Sequence, residues 1–256
     1  MEEQLEKLVA YAEPKPKALI CVSGNTSRVK TSFTPPLEFS SSHRYEIALT
    51  SLETYYSFPN INTSNNHVKI SFDVGKTWSG FRIPVGCYEI EAINNELQRF
   101  IMQKTGDDKP GKRMILSPNP NTLRCVLEIL HADCQVKFNV DNSLCTVLGF
   151  DKKVYDVRGY HESEHLVNIL AVNSILVHCD VIESSRLNGV EAPVIYTFFP
   201  DAAPGDKIVS IPRHLIYIPL TLNVIQRMTC WVTDQNGNDL DLRGEELTLT
   251  FHLKAC

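Results

Sequence analysis

Along most of the chain, apolar and polar residues alternate one for one. "HVKISF" sets Val68, Ile70 and Phe72 on one face, "CQVKFNV" does so with Cys134, Val136, Phe138 and Val140, and "ELTLTFHL" with Leu247, Leu249, Phe251 and Leu253. A period of two puts such residues on one side of a pleated chain, so each segment is predicted to be a half-buried strand. "SILVHCDVIES" and "NVIQRMTCWVTD" carry β-branched and aromatic residues on both faces, which suits central strands between layers. Turn signals punctuate the pattern: "FPNINTSNN", "SPNPN", "PDAAPGD" and "DQNGND", where Asn236-Gly237 offers the positive φ angles of a tight turn. Many short strands with regular turns predict a sandwich or barrel.

Two stretches follow a different period. In "GCYEIEAINNELQRFIMQKTG" the residues Ile90, Ile93, Leu97, Phe100 and Ile101 recur at 3.6-residue spacing, and Gly106 lies just past the end. One amphipathic helix is predicted over 88–104, its stripe turned to the core. Near the N-terminus Leu5, Leu8, Val9 and Ala12 share helical spacing until Pro14 and Pro16 break it. Residues 1–17 therefore read as a short arm, docked on its own body or on a neighbour, or as a disordered tail.

Composition narrows the choices. A chain of 256 residues with 43% hydrophobic content can bury one large all-β core or one domain with an insertion. A formal charge of −5 with scattered basic residues argues against a direct nucleic-acid partner. No apolar run approaches the roughly 20 residues of a membrane span, and the acidic N-terminus lacks the apolar centre of a signal peptide, so synthesis in the cytoplasm is expected. The cysteines, Cys21, Cys87, Cys125, Cys134, Cys145, Cys179, Cys230 and Cys256, contain no C-x-x-C pair. They read as buried thiols acting as small hydrophobes rather than a disulfide framework. His131 and Cys134 near Cys125 make a zinc site on paper only, because regular ligand pairs are missing.

One motif carries overt chemistry. "YHESEHL" contains His161, Glu162 and His165 in the order H-E-x-x-H, the spacing of zinc metalloproteases. That chemistry needs both histidines one turn apart on a buried helix, with the glutamate polarising the metal-bound water. Here Gly159 stands two residues upstream, "LVNILAVNSILVHCD" downstream reads as strand, and a helix over 157–170 would carry polar residues on every face. The expectation is an exposed polar loop holding no metal; a zinc hydrolase through His161, Glu162 and His165 is the remote alternative. Asp180 and Glu183 form a possible acid pair, but on a strand they point to opposite faces and read as rim charges or turn partners. There is no G-x-S-x-G elbow and no phosphate-binding glycine loop. No catalytic residue and no cofactor is expected.

The order of segments adds what no single one supplies. "GCYEIEAINNELQRFI", "LRCVLEI", "CQVKFNVDNSLCTVLGF" closing on Leu148-Gly149-Phe150, "NSILVHCDVIESSRLNG" and "MTCWVTDQNGNDLDLRGEELTLTFHLK" follow one another in a succession that resembles the penton, or minor capsid, proteins of Polinton (Maverick) elements and adintoviruses. The resemblance runs from about residue 40 to 254; "APVIYTFFP" departs from the corresponding strand of that family. It implies a single jelly-roll β-sandwich over 18–256 with an α+β insertion at about 86–165. It further implies a structural role in a virion: homopentamers at the five-fold vertices of an icosahedral shell, held among copies of a double-jelly-roll major capsid protein, with assembly in the cytoplasm or nucleus. The alternative reading is a β-sandwich module that binds a carbohydrate or a protein, and self-assembly separates the two.

Overall fold

The structure, a computed structural model, describes residues 17–40, 42–170, 172–183 and 185–256. The arm expected over residues 1–17 lies outside the described residues except for Lys17, which already belongs to the first strand.

Three strands open the chain, β1 (Lys17–Gly24), β2 (Arg28–Glu38) and β3 (Tyr45–Tyr55). Next come β4 (His67–Ser71), β5 (Ser79–Arg82), helix α1 (Ile90–Thr105), β6 (Met114–Asn119), β7 (Arg124–Ile129) and β8 (Gln135–Lys137). The one-turn helix α2 (Cys145–Leu148), β9 (Val154–Tyr155) and β10 (Gly159–Glu162) complete this middle stretch. The chain ends through β11 (Ile175–Cys179), β12 (Ser185–Leu187), β13 (Val190–Ala192), β14 (Val194–Phe198), β15 (Lys207–Ser210), β16 (Ile218–Pro219), β17 (Val224–Thr233) and β18 (Leu247–Ala255).

These elements form two compact units, one made of residues up to Ser57 together with Val172–Cys256, the other Phe58–Ala171. In the first, one sheet has the order β1-β18-β3-β15, with β16 also on β3, and the other the order β14-β11-β17-β2. The run β1, β2, β3, β11 switches sheet at every step, and so does the run β14, β15, β17, β18. Eight antiparallel strands wound in this way are a jelly roll, the architecture expected from the sequence.

Apolar alternation explains the pairing. In β18 the buried Leu247, Leu249, Phe251, Leu253 and Ala255 alternate with half-exposed polar residues. The register sets Val22 and Leu52 beside Leu249, and Ile20 and Leu49 beside Phe251, so apolar rows cross the sheet. A register shift between Thr250 and Phe251 lets β3 turn Ile47 and Leu49 inward on one side of it and Leu52 and Thr54 on the other. Strand β11 is buried along its whole length between β14 and β17, as apolar residues on both faces require.

The second unit has its own core. Sheets β10-β7-β6 and β5-β4-β8-β9 enclose Ile93, Leu97, Ile101, Met114, Leu127, Val136 and Phe138. Helix α1 packs on β6 and stops where Gly106, at φ 73°, donates its N–H to Met102 O. The unit begins at Phe58 rather than near residue 86, because the "HVKISF" strand β4 pairs with β5 and β8 inside it. Two local expectations are corrected. Pro118 of "SPNPN" lies within β6, an edge strand where a missing N–H is tolerated, and the turn falls on the next four residues. The "DQNGND" turn is not a two-residue hairpin: Thr233 and Asp239 bridge five residues, and only Gly237 among them, at φ 84°, takes positive φ. Among the described residues no helix is long and apolar enough to cross a membrane.

Candidate functional site

The H-E-x-x-H stretch sits at the end of β10, where His161 and Glu162 pair with Leu127 and Val126 of β7. Successive strand residues project to opposite faces, so the two side chains diverge. His161 packs edge-on against the Tyr155 ring, centroids 5.5 Å apart, and its Nε2–H donates to Val157 O at 2.6 Å. Glu162 accepts hydrogen bonds from Asn119 Nδ2 at 2.7 Å and Thr122 Oγ1 at 2.6 Å, with Arg124 3.8 Å away. His165 turns elsewhere, its Nε2 3.2 Å from Asp151 Oδ1. The motif is thus a strand end at His161 and Glu162, bonded to β7 and the β6–β7 turn, followed by the exposed loop that was expected, at His165, and its three side chains do not converge. Among the described residues no group of three or more His, Cys, Asp or Glu side chains is placed to hold a metal ion.

What the stretch does instead is tie α2 to β7. Ser163, fully buried, accepts from Cys125 N–H at 3.1 Å and donates to His165 O at 2.8 Å. Gly149, the residue after α2, accepts from His165 N–H at 2.8 Å. It has φ 80°, and a Cβ there would lie 2.3 Å from His165 O, so only glycine fits. Glu164 gathers the remaining bonds: Asp151 N–H at 3.0 Å, Tyr155 OH at 2.8 Å and the Lys153 ammonium. Burial alone would raise the Glu164 carboxyl, but these donors outweigh it and hold the pKa at about 2. Burial and the adjacent Glu164 carboxylate push the Tyr155 phenol up. A carboxylate with this many donors is a structural anchor, unsuited to give or take a proton near neutrality.

The other candidates also resolve into structure. Cys125 is buried, and burial pushes its thiol up to about 12. Cys134 is raised for the same reason, and His131 pairs with Asp133 at 3.4 Å. β11 ends at Cys179, so Asp180 and Glu183 lie beyond the strand. Asp180 is a turn partner that accepts from Thr229 N–H at 2.8 Å, while Glu183 N–H donates to Pro219 O. In "VHCDVIE", His178 stacks on Trp231 at 4.9 Å, Arg28 covers that ring at 4.6 Å, and the three are cross-strand neighbours on β11, β17 and β2. Cys179 and Cys230 oppose each other in the same register as buried free thiols. In "TDQNGN", Asp234 Oδ1 accepts from the N–H groups of Asn236 and Asn238 at 2.8 and 2.9 Å, which closes the loop.

No protein-family model matches the chain, and no curated protein sequence matches it. Among solved structures, a crystal structure of the mavirus penton protein matches with a TM-score of 0.51 at 7% identity, over 94% of this chain and all of that one. The chain has a viral penton-like fold. Domains of the flagellar cap protein of Escherichia coli align at a TM-score of 0.21 and 13% identity, too distant to carry an argument. Against a penton-like fold, the residues quoted for the resemblance take on definite positions: Leu148-Gly149-Phe150 closes α2, "VHCDVIE" is the central strand β11 with its turn, and "TDQNGN" is the loop after β17. All three are places where backbone geometry is demanding, and none presents convergent reactive groups. Sequence reading missed Ser163, Glu164 and the approach of His165 to Gly149; the only signal for them was a glycine one residue past a short apolar turn.

Proposed function

We propose that this protein is a structural penton, a minor capsid protein that forms pentamers at the vertices of an icosahedral virion-like shell of a virus-like transposable element of the Polinton kind. The observation that supports the reading is the likeness in fold to the mavirus penton protein, which spans 94% of this chain and includes the jelly roll. The topology is suited to a ring. A five-membered ring needs two different patches on each copy that face each other across a heterologous contact. The outer strands of the first sheet, β1 and β15, lie at its opposite edges, and each exposes a large apolar side chain, Leu19 and Val209. Open edges of this kind call for a partner or a cover. On this reading the partners are further copies of the chain and the double-jelly-roll major capsid protein, and the place of action is the virion.

The mass of the purified protein in solution tests this, measured alone and mixed with the major capsid protein of the same element. Five-fold assemblies in either sample are the expected result. A monomer in both samples, with no capture by the major capsid protein, overturns the reading.

A further inference from the structure

Two buried thiols face each other in the middle of the second sheet of the jelly roll. β11 and β17 are its central strands, and their register sets Cys179 opposite Cys230. Opposed residues of an antiparallel pair point to the same face. Here that face is the interior: Cys230 alternates with the buried Met228 and Val232 along β17, and Cys179 lies two residues from the buried Val177 on β11. Both cysteines are buried and free. Among the described residues no other strand pairing sets cysteine against cysteine; Cys21 faces Thr250 and Cys125 faces Pro118.

The hydrogen bonds around the pair fix its spacing. Asp180 N–H donates to Thr229 O at 3.1 Å, so Asp180 and Thr229 form a hydrogen-bonded pair of the ladder. Bonded and non-bonded pairs alternate, which makes the preceding pair, Cys179 and Cys230, a non-bonded one. Cys179 N–H agrees, since it donates away from β17, to Pro193 O at 2.9 Å. Non-bonded pairs hold their Cα atoms about 4.5 Å apart with the side chains close, within the roughly 4.4–6.8 Å that a disulfide spans. We propose that Cys179 and Cys230 are an oxidation site, a dithiol that a small hydroperoxide converts to a cross-strand disulfide with the strands in their present register.

The step balances with hydrogen peroxide as the oxidant. One sulfur attacks the peroxide, the O–O bond breaks, and a sulfenic acid and water form; the second sulfur then attacks the sulfenic sulfur, the S–O bond breaks and a second water leaves. The two thiols lose two electrons and two protons in all, and the peroxide takes them up. The adjacent Cys179 thiol and burial push the Cys230 thiol up, which keeps it protonated and its reaction slow. The pair therefore stays open where thiols are kept reduced and closes on long exposure to oxidant. Once closed, the link joins the two central strands and loops the intervening chain, Asp180 to Thr229, which holds β12 to β16. A cross-link around so long a segment restricts the unfolded chain and stabilises the fold. This site is independent of the penton reading.

Peroxide treatment of the full chain tests it, overnight at neutral pH, in urea below the unfolding transition so that strand opening admits the oxidant. Alkylation in denaturant, then digestion and mass spectrometry without reductant, is expected to recover a linked peptide pair that joins Cys179 to Cys230. The midpoint of thermal unfolding is expected to rise by roughly 5–15 °C and to return on treatment with dithiothreitol. Recovery of both cysteines as alkylated thiols or as sulfinic acids, or joined to other cysteines, overturns the proposal. Cys179→Ala leaves Cys230 without its partner, and the rise is expected to be absent there; a rise that persists shows a different cross-link and overturns the assignment.

Discussion

Gly149 shows how little room one position leaves. Its φ of 80° and the 2.3 Å separation that a Cβ would have from His165 O exclude any side chain without moving the backbone after β10. Gly149→Ala is expected to cost about 2–4 kcal/mol, read as a lowered midpoint in urea unfolding, because both backbone strain and a steric clash are introduced. Beside it, Glu164 predicts the acid behaviour of the same corner. Its folded pKa of about 2 lies below the ordinary carboxylate value, so its stabilising effect is complete above the unfolded pKa and is lost as pH falls through the range toward 2. Glu164→Gln is expected to lower stability at pH 7 by on the order of 1–2 kcal/mol, discounted for partial exposure, and to leave a smaller difference from the unaltered protein at pH 2 to 3. Urea titrations at the two pH values check it; an unchanged gap would mean the carboxylate is not the anchor. The glycine could be read from the sequence as a turn residue. Its neighbour could not, since a glutamate in "HESEH" looks like any surface charge until Asp151, Lys153 and Tyr155 are folded against it.

Individual elements were legible in proportion to how far their periodicity reaches. β18 alternates over its full length, and α1 carries four apolar residues one turn apart, Ile90, Ile93, Leu97 and Ile101, with a glycine cap. Both were predictable within two residues. The two-residue strand β9 is too short to show a period, while the alternation of "CQVKFNV" located β8 but reached beyond it, since β8 ends where Phe138 N–H turns to Lys153 O. A buried polar residue within a legible element is also hidden, as Gln98 shows. It lies on the inner side of α1, where its Nε2 donates to Met114 O at 2.8 Å and to Asn94 Oδ1 at 2.9 Å and its Oε1 accepts from Gly111 N–H at 2.8 Å. These bonds pin the helix to the start of β6, and their partners lie 13 and 16 residues further along the chain. Gln98→Leu conserves volume but leaves Met114 O without the donated bond, so a loss of about 1–3 kcal/mol is expected. The same variant should speed hydrogen exchange in residues 110–116 more than in the centre of α1. If both change equally, the helix itself and not its attachment has been weakened.

At the scale of the whole molecule, the strand pattern implied a sandwich or barrel but not its winding, because alternation says which face a residue takes and nothing about which strand it meets. Winding depends on long-range pairs such as Lys17 with Lys254, and these are decided by the summed burial of apolar rows across the sheet. The order of motifs, matched to penton proteins, was the only route from sequence to the jelly roll. Fold alone does not decide function, so the H-E-x-x-H motif supplies the sharpest contrast between a shell component and a hydrolase. In the penton reading His161 is a residue of the edge strand β10 whose loss removes one hydrogen bond, to Val157 O, and one ring contact, to Tyr155. His161→Ala is then expected to cost about 0.5–1.5 kcal/mol and to leave the mass of the assembly and its capture by the major capsid protein unchanged. Elemental analysis of the unaltered protein after dialysis should find well under one zinc per chain. Stoichiometric zinc that disappears in His161→Ala would require His161, Glu162 and His165 to come together in a conformation other than the pairing of β10 with β7, and the structural role assigned to that strand end would have to be given up.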